Sequence, residues 1–318
     1  MKLTEPRGAI DKSACEKNWS RLMAATIRRL RSSDRNDIME ISSHIWEGHD
    51  YLPSVVDEWL HDANSRFYGV EVGGRVVAVG RLRVVENGSI GWMEGLRVHP
   101  DFRGRGFAND ITRYIVREGE SLGVDRLRYT TSDENAASVK LAKMAGFSRI
   151  LRMTVFWHHN LEQIPTLTEY PLIRKQSPAR TCELMETNPR ILPRGFLMYE
   201  WKALDETCSN VKEVGKTHTF YGALKRGKLD SLSISTSGQE PDESYWGFTV
   251  YAVDSFGFLA QFSHNVAIAL KHGIDSIACT FETRFEKALD GVGLNSEEDH
   301  KTHLVLFEKR TRLRKLKD

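Results

Sequence analysis

Cysteine is scarce: there are four in 318 residues, Cys15, Cys182, Cys208 and Cys279, and no CxxC pair among them. That excludes a disulfide framework and a cysteine-held zinc site, and leaves the expectation of free thiols in a reducing cytoplasm. Long apolar runs are missing as well. Nothing approaches the roughly 18 consecutive apolar residues of a membrane span, and the opening MKLTEPRGAI lacks the apolar core of a secretory leader. There is no excess of one charge: a formal net charge of +2 gives no global drive toward nucleic acid or membrane. The triphosphate loop GxxxxGK[ST] is absent, and His44, His49, His61, His300 and His303 do not fall into a metal-ligand spacing such as HExxH, so no metal is expected. What remains is 40% hydrophobic and 28% charged, an ordinary globular composition long enough for two domains.

Periodicity divides the chain. Residues 1–25 are polar and irregular and read as a tail or a lid. TIRRLRSSD alternates as a strand, and Asp34 then opens a mostly helical stretch to about His61, interrupted at GHDYLP by Gly48 and Pro53. SRFYGVEV, RVVAVGRLRVV and SIGWMEGLRV read as strands separated by Gly73-Gly74 and Asn87-Gly88. An amphipathic helix carries Phe107, Ile111, Tyr114 and Ile115 on one face. RLRYTT is a strand, NAASVKLAKMAG a short helix between Asn135 and Gly146, and FSRILRMTVFWHH a strand. Proline and polar residues then thicken, and 161–194 reads as a linker. From 195 a similar order returns: RGFLMYEWKAL, TFYGALKRG, KLDSLSIST and WGFTVYAVD as strands, a long helix, DSIACTF, a short helix and HLVLFEK. The two halves read as a duplication with little residue identity. The terminal KRTRLRKLKD has no interleaved aromatics and reads as a solvated tail, not a nucleic-acid site.

The stretch RVHPDFRGRGFAND joins a strand to a helix. The first amides of a helix lack intrahelical acceptors, and the helix dipole makes them an anion site. Gly104 and Gly106 let a phosphate reach the main chain, and Arg103 and Arg105 add charge. A dinucleotide fingerprint is excluded, because Gly104-Arg105-Gly106 is followed by Asn109 and sits on a fourth strand.

Arg103, Gly106 and Ala108 satisfy [Q/R]xxGx[G/A], and NAASVKLAKMAGF resembles NxxAxxLxxxxGF. Together with GLRV they make residues 26–159 resemble the Gcn5-related N-acetyltransferases. GHDYLPSVVDEWL, MEGLRVHPDFRGRGFA and the later VYAVDSFGFLAQFSHNVAIALKHG extend the resemblance to the histidine N-acetyltransferase-like subgroup, in which a second, degenerate copy follows the first. The resemblance implies an α/β (α+β) fold with a mixed, mostly antiparallel central sheet flanked by helices, duplicated in tandem. It implies a catalytic domain at 26–160 and a degenerate one at 195–318. The donor it implies is acetyl-CoA, and the acceptor the amine of a small molecule, a free amino acid such as histidine. Protein lysines or N-termini are the rival acceptors, and a non-catalytic acyl-CoA-binding module is the rival class.

The resemblance further implies a bulge near Gly95 to Arg97, main-chain pairing of Leu96 and Val98 with pantetheine, and pyrophosphate held by Arg103, Gly104, Arg105, Gly106, Phe107 and Ala108. Arg97 and Asn135 are further candidate cofactor contacts, although Asn135 serves equally as a helix cap. Glu94 stands nine residues before Arg103, the position of the family's catalytic glutamate. Its strand is otherwise apolar on that parity (Ile90, Trp92, Leu96, Val98), where a carboxylate loses hydration and suits proton abstraction. The competing reading is an ion pair with Arg83 or Arg97. The family's tyrosine after the leucine of its last motif is replaced by Ala142 after Leu141, which leaves Tyr129 and Ser138 as substitutes for the acid. Asp50 is the candidate for an ammonium group and Tyr51 for a side chain, with an Asx turn the alternative for Asp50. AVDSFGFLAQ in the second half has one glycine, no arginine and an aspartate where an anion would sit, so that half either completes the acceptor cleft or mediates homodimerisation.

Overall fold

A computed structural model describes residues 25–45, 50–239, 243–294 and 300–311. The N-terminal tail up to residue 24, Gly48 and the basic end from residue 312 lie outside the described residues. The chain separates into two compact units, one of residues 1–127 with 310–318 and one of residues 128–309.

The first unit runs β1 (Thr26–Arg29), α1 (Arg35–Ser43), α2 (Leu52–His61), β2 (Ser65–Val72), β3 (Arg75–Val85), β4 (Ile90–Val98) and α3 (Phe107–Leu122). The strands pair antiparallel in the order β1-β2-β3-β4. Pro53 lies in the first turn of α2, where an amide N–H has no helical acceptor to lose, so it starts the helix instead of breaking it. Ile38 and Ile41 of α1 and Leu52, Val56 and Trp59 of α2 pack on Phe67, Val76 and Val79 of one sheet face. Each such side chain, once fully buried, contributes about 1.5–3 kcal/mol. Phe107, Ile111 and Ile115 of α3 are buried. Gly80, whose added Cβ would stand 3.0 Å from Ile115 Cδ1, shows that α3 covers the opposite face from Val79.

The second unit holds β5 (Arg126–Ser132, whose first two residues end the first unit), α4 (Ala136–Met144), β6 (Ser148–His158), β7 (Ile173–Gln176), α5 (Pro178–Glu186), β8 (Phe196–Tyr199), β9 (Lys202–Asp205) and α6 (Cys208–Val214). It continues with β10 (Thr219–Lys225), β11 (Lys228–Gln239), β12 (Ser244–Ala252), α7 (Ser255–Lys271), β13 (Ser276–Glu282), α8 (Glu286–Gly291) and β14 (His300–Arg310). Its sheet runs β5-β14-β6-β13-β12-β11-β10-β7, with β8 and β9 as a separate hairpin. β12 and β13 pair parallel, while β6 pairs antiparallel with both β13 and β14.

Two boundaries differ from the sequence reading. Residues 161–194 form no linker: β7 pairs antiparallel with β10, and α5 begins at Pro178 behind a Ser177 cap. Pro178 occupies the first turn, where proline initiates a helix. β7 and α5 stand in the order of β1 and α1, so the second repeat opens at Ile173 and not at 195. The expected boundary near 160 is displaced because β6 is hydrogen-bonded on both edges inside the second unit, which moves the division to 127/128. RGFLMYEWKAL, read as one strand, folds as the β8–β9 hairpin, turning at Glu200. No helix among the described residues is long and apolar enough to cross a membrane.

Candidate functional site

The local chemistry of the first unit centres on an irregularity in β4. Val79 pairs with Arg97 and Arg81 with Glu94, so Gly95 and Leu96 together oppose the single residue Gly80. This is a β-bulge, in which one extra residue breaks the alternation of faces. Val79 and Arg81 share a face of β3, and so Glu94 and Arg97 share a face of β4. The simple parity that grouped Glu94 with Leu96 and Val98 ends at the bulge. Gly95 adopts φ +69, and a Cβ there would come within 2.5 Å of the Trp59 ring, so only glycine fits.

On that face Glu94 is not isolated among apolar groups. Arg81, 2% exposed, donates through Nη1 to Glu94 Oε1 at 2.8 Å, through Nε to Ser65 Oγ at 2.7 Å and through Nη2 to Asp62 Oδ2 at 2.5 Å. Its guanidinium carbon lies 4.4 Å from the centre of the Trp59 ring, a cation–π stack. Burial pulls Arg81 below the usual arginine range, and the Glu94 and Asp62 carboxylates oppose that pull. Arg81 is therefore an ion-pair partner of Glu94, one that the sequence reading did not name. The sequence carried part of the signal: Arg81 and Arg83 are the two charges in the otherwise apolar run VAVGRLRVV, and they share a parity that does not say which of them meets Glu94.

Asp50 does not present a free carboxylate. Its side chain is fully buried and accepts from Ser42 Oγ (2.8 Å), Arg97 Nε (3.1 Å), Arg97 Nη2 (2.9 Å) and the Leu52 amide (3.3 Å). Four donors saturate a carboxylate, so the ammonium reading gives way to the Asx turn combined with a bidentate arginine clamp. Tyr51 is 43% exposed, with Trp59 edge-on at 6.0 Å and the Arg97 guanidinium 5.3 Å from its ring centre. Arg97 pairs with Asp50, and its Nη1 donates to the Leu96 carbonyl at 3.0 Å.

The loop after β4 leaves α3 without a side-chain cap. Its N-cap, Gly106, adopts φ +94, and Cβ atoms added at Gly104 or Gly106 would meet open space, with only Asp110 Oδ2 at 3.9 Å from the latter. Bare amides, a helix dipole and room for an anion therefore coincide, and the residues present fit a pyrophosphate. Arg103 donates Nε to the Val98 carbonyl at 3.2 Å, and Arg105 lies over Phe102 at 4.8 Å. His99 bonds to Val77 through its amide, which turns the peptide groups of Val98 away from β3. The Phe107 side chain is buried, so only its main chain is available to a ligand.

Asn135 lies in the second unit, where its Oδ1 caps α4 by accepting from the Ser138 amide at 3.0 Å. Ala142 is buried in that helix. The Tyr129 hydroxyl donates to the Ser138 carbonyl at 3.1 Å, and burial pushes its pKa up to about 12. A phenol that weak gives up a proton reluctantly to a thiolate whose own pKa is about 8.5. Tyr129→Phe is therefore expected to lower kcat less than tenfold, under about 1.4 kcal/mol of barrier. A loss beyond a hundredfold in steady-state assays would make Tyr129 the acid after all.

The equivalent place in the second repeat is filled. Asp254 Oδ1 accepts from the Gly257 amide at 2.8 Å and caps α7, and Asp230 Oδ2 lies 3.3 Å from where a Gly257 Cβ would stand. β12 and β13 stay paired from Tyr245 and Ser276 to Val250 and Phe281, with no bulge in their register.

The sequence profile of the acetyltransferase (GNAT) family matches residues 33–147. The histidine N-acetyltransferase of Oreochromis niloticus is 37% identical over 83 residues, which cover 26% of this chain and 25% of that protein. The chain thus matches about a quarter of that relative's length. A Gcn5-related N-acetyltransferase from Sphaerobacter thermophilus superposes with a TM-score of 0.61 at 14% identity, over 91% of this chain and 96% of that one. A tandem GNAT protein from the clavulanic acid biosynthesis pathway superposes with a TM-score of 0.56 at 16% identity, over 90% and 98%. These likenesses extend through both repeats and agree with a duplicated GNAT fold. Residues 33–147 thus match the acetyltransferase (GNAT) family, and part of the chain is similar to histidine N-acetyltransferases.

Proposed function

We propose that this protein transfers an acetyl group from acetyl-CoA to the amine of a small molecule, a free amino acid such as histidine. The observation that carries the reading is the pairing, within one unit, of an uncapped helix N-terminus behind Arg103–Ala108 with a carboxylate, Glu94, fixed beside the bulge of the preceding strand. Acetyl-CoA supplies the activated thioester. The Gly104 to Ala108 amides and the Arg103 and Arg105 guanidiniums hold its pyrophosphate. Main-chain groups of Leu96 and Val98 align the pantetheine, and an amide there faces the thioester oxygen. Glu94, oriented by Arg81, takes a proton from the acceptor ammonium directly or through one water, so that the freed amine attacks the thioester carbonyl and coenzyme A leaves as a thiolate that takes a proton from solvent. Tyr51 lies on the acceptor side, while Asp50 and Arg97 brace the wall that carries it. In the second repeat the Asp254 cap and the unbroken β12–β13 ladder leave no place for a second cofactor, which supports reading that repeat as degenerate. The free thiols of Cys182, Cys208 and Cys279 suit a reducing cytoplasm.

The test is release of free thiol from acetyl-CoA, screened against the twenty amino acids and a set of lysine and N-terminal peptides, beside a calorimetric count of coenzyme A. Turnover with an amino acid and one cofactor per chain are expected. Turnover with peptides alone would replace the acceptor, and two cofactors per chain would overturn the degenerate assignment.

A further inference from the structure

We propose that Glu40, His44 and His99 form a binding site for one divalent transition-metal ion, zinc foremost, at the base of the phosphate loop. One ligand atom from each of the three residues lies within 4.8 Å of the others. Glu40 and His44 stand four residues apart at the C-terminal end of α1 and so share a face. His99 follows β4 and opens the segment that leads to Arg103. The sequence hid this cluster, because 55 or more residues separate α1 from His99 and no linear motif joins them.

Imidazole nitrogens with a carboxylate oxygen are a zinc donor set, and a tetrahedral ion at about 2.0–2.1 Å from each donor spaces them about 3.4 Å apart. The observed spread closes to that by side-chain rotation of Glu40 and His44, both of which are exposed. His99 is 4% exposed and held in place, its ring edge-on to those of His44 (5.3 Å) and Phe102 (5.7 Å). Its Nδ1 accepts from the Asp101 amide at 3.3 Å, with Asp101 Oδ2 3.9 Å away, so metal binding at Nε2 requires the ring to release that amide and present its Nδ1–H to the neighbouring carboxylate. The end of a helix also favours a cation through its dipole.

A cationic side chain already lies at this spot. The Arg75 guanidinium pairs with Glu40, and its Nη2 lies 3.4 Å from His99 Nε2. His99 Nε2 is in turn 3.5 Å from Glu40 Oε1. The guanidinium stands in for the charge of the ion and must swing out when the ion enters, which its 39% side-chain exposure permits. Arg75 is thus a built-in competitor, and that separates this site from a surface histidine pair.

The experiment uses tag-free, chelator-treated full-length protein titrated with zinc chloride by calorimetry, with thermal melting at each end of the titration. The expected result is saturable uptake of one zinc per chain with a rise in Tm, both lost in His44→Ala. Arg75→Gln, which removes the competitor, is expected to tighten zinc at least severalfold. His99→Ala risks unfolding because the residue is buried, so His44 and Arg75 carry the decision. Cys208→Ser excludes uptake by the exposed thiol and is expected to bind normally. Absence of saturable uptake, uptake that survives His44→Ala, or Arg75→Gln binding no tighter than the parent would each overturn the proposal.

Discussion

Glu94→Gln is expected to lower kcat/KM by about 10²–10⁴, the range of a lost general base, while coenzyme A binds as before. Glutamine keeps the shape and still accepts the hydrogen bond from Arg81 Nη1, but it has no basicity. The deficit should narrow from pH 6 to pH 10, because a growing fraction of the acceptor amine arrives already deprotonated and no longer needs the base. The Arg81 pairing changes what a melting curve can say. Neutralising Glu94 leaves a buried guanidinium with Asp62 as its remaining carboxylate, so part of the roughly 3–5 kcal/mol cost of breaking a buried pair is expected whatever the catalytic role. Lower stability is therefore common to both readings, and the pH profile separates them. A purely structural Glu94 predicts a rate loss that is constant across pH. A variant with near-normal rate at pH 7 would end the assignment.

Gly106→Val should abolish coenzyme A binding while the chain stays folded. The φ of +94 at Gly106 lies in the region that costs an L-residue about 1–2 kcal/mol, a strain a domain with several kcal/mol in hand survives. Around the added side chain there is otherwise open space, which is the space the phosphates need. Loss of affinity with a melting temperature only a few degrees lower is the expected pattern. Unchanged affinity by calorimetry would remove the loop from the cofactor site, and with it the reading of Arg103–Ala108.

The elements that were legible in the sequence are those whose chemistry is local. The strand–loop–helix around Gly106 follows from two glycines, an apolar face and a helix start, and α4 follows from the Asn135 cap and Gly146. Partnership across the sheet was not local. That Arg81 meets Glu94 depends on a register broken by one extra residue at Gly95, and a one-residue slip reverses which side chains share a face. Asp50 looked available because its four donors come from Ser42, Leu52 and, far along the chain, Arg97. The segment 161–194 looked like a linker because β7 is four residues long and Pro178 reads as a breaker unless the Ser177 cap is seen to precede it.

The place of β14 between β5 and β6 bears on how the chain is made. β6 ends at His158, and its antiparallel partner begins at His300, so the ribosome must synthesise nearly the whole protein before that ladder can close. During translation β6 carries an open edge rich in apolar residues, the kind of surface that invites aggregation and chaperone capture. Contacts of such sequence separation also slow the search for the native state. A stop codon before residue 300 would thus release a chain in which β6 keeps β13 but lacks its second neighbour, with that edge left open.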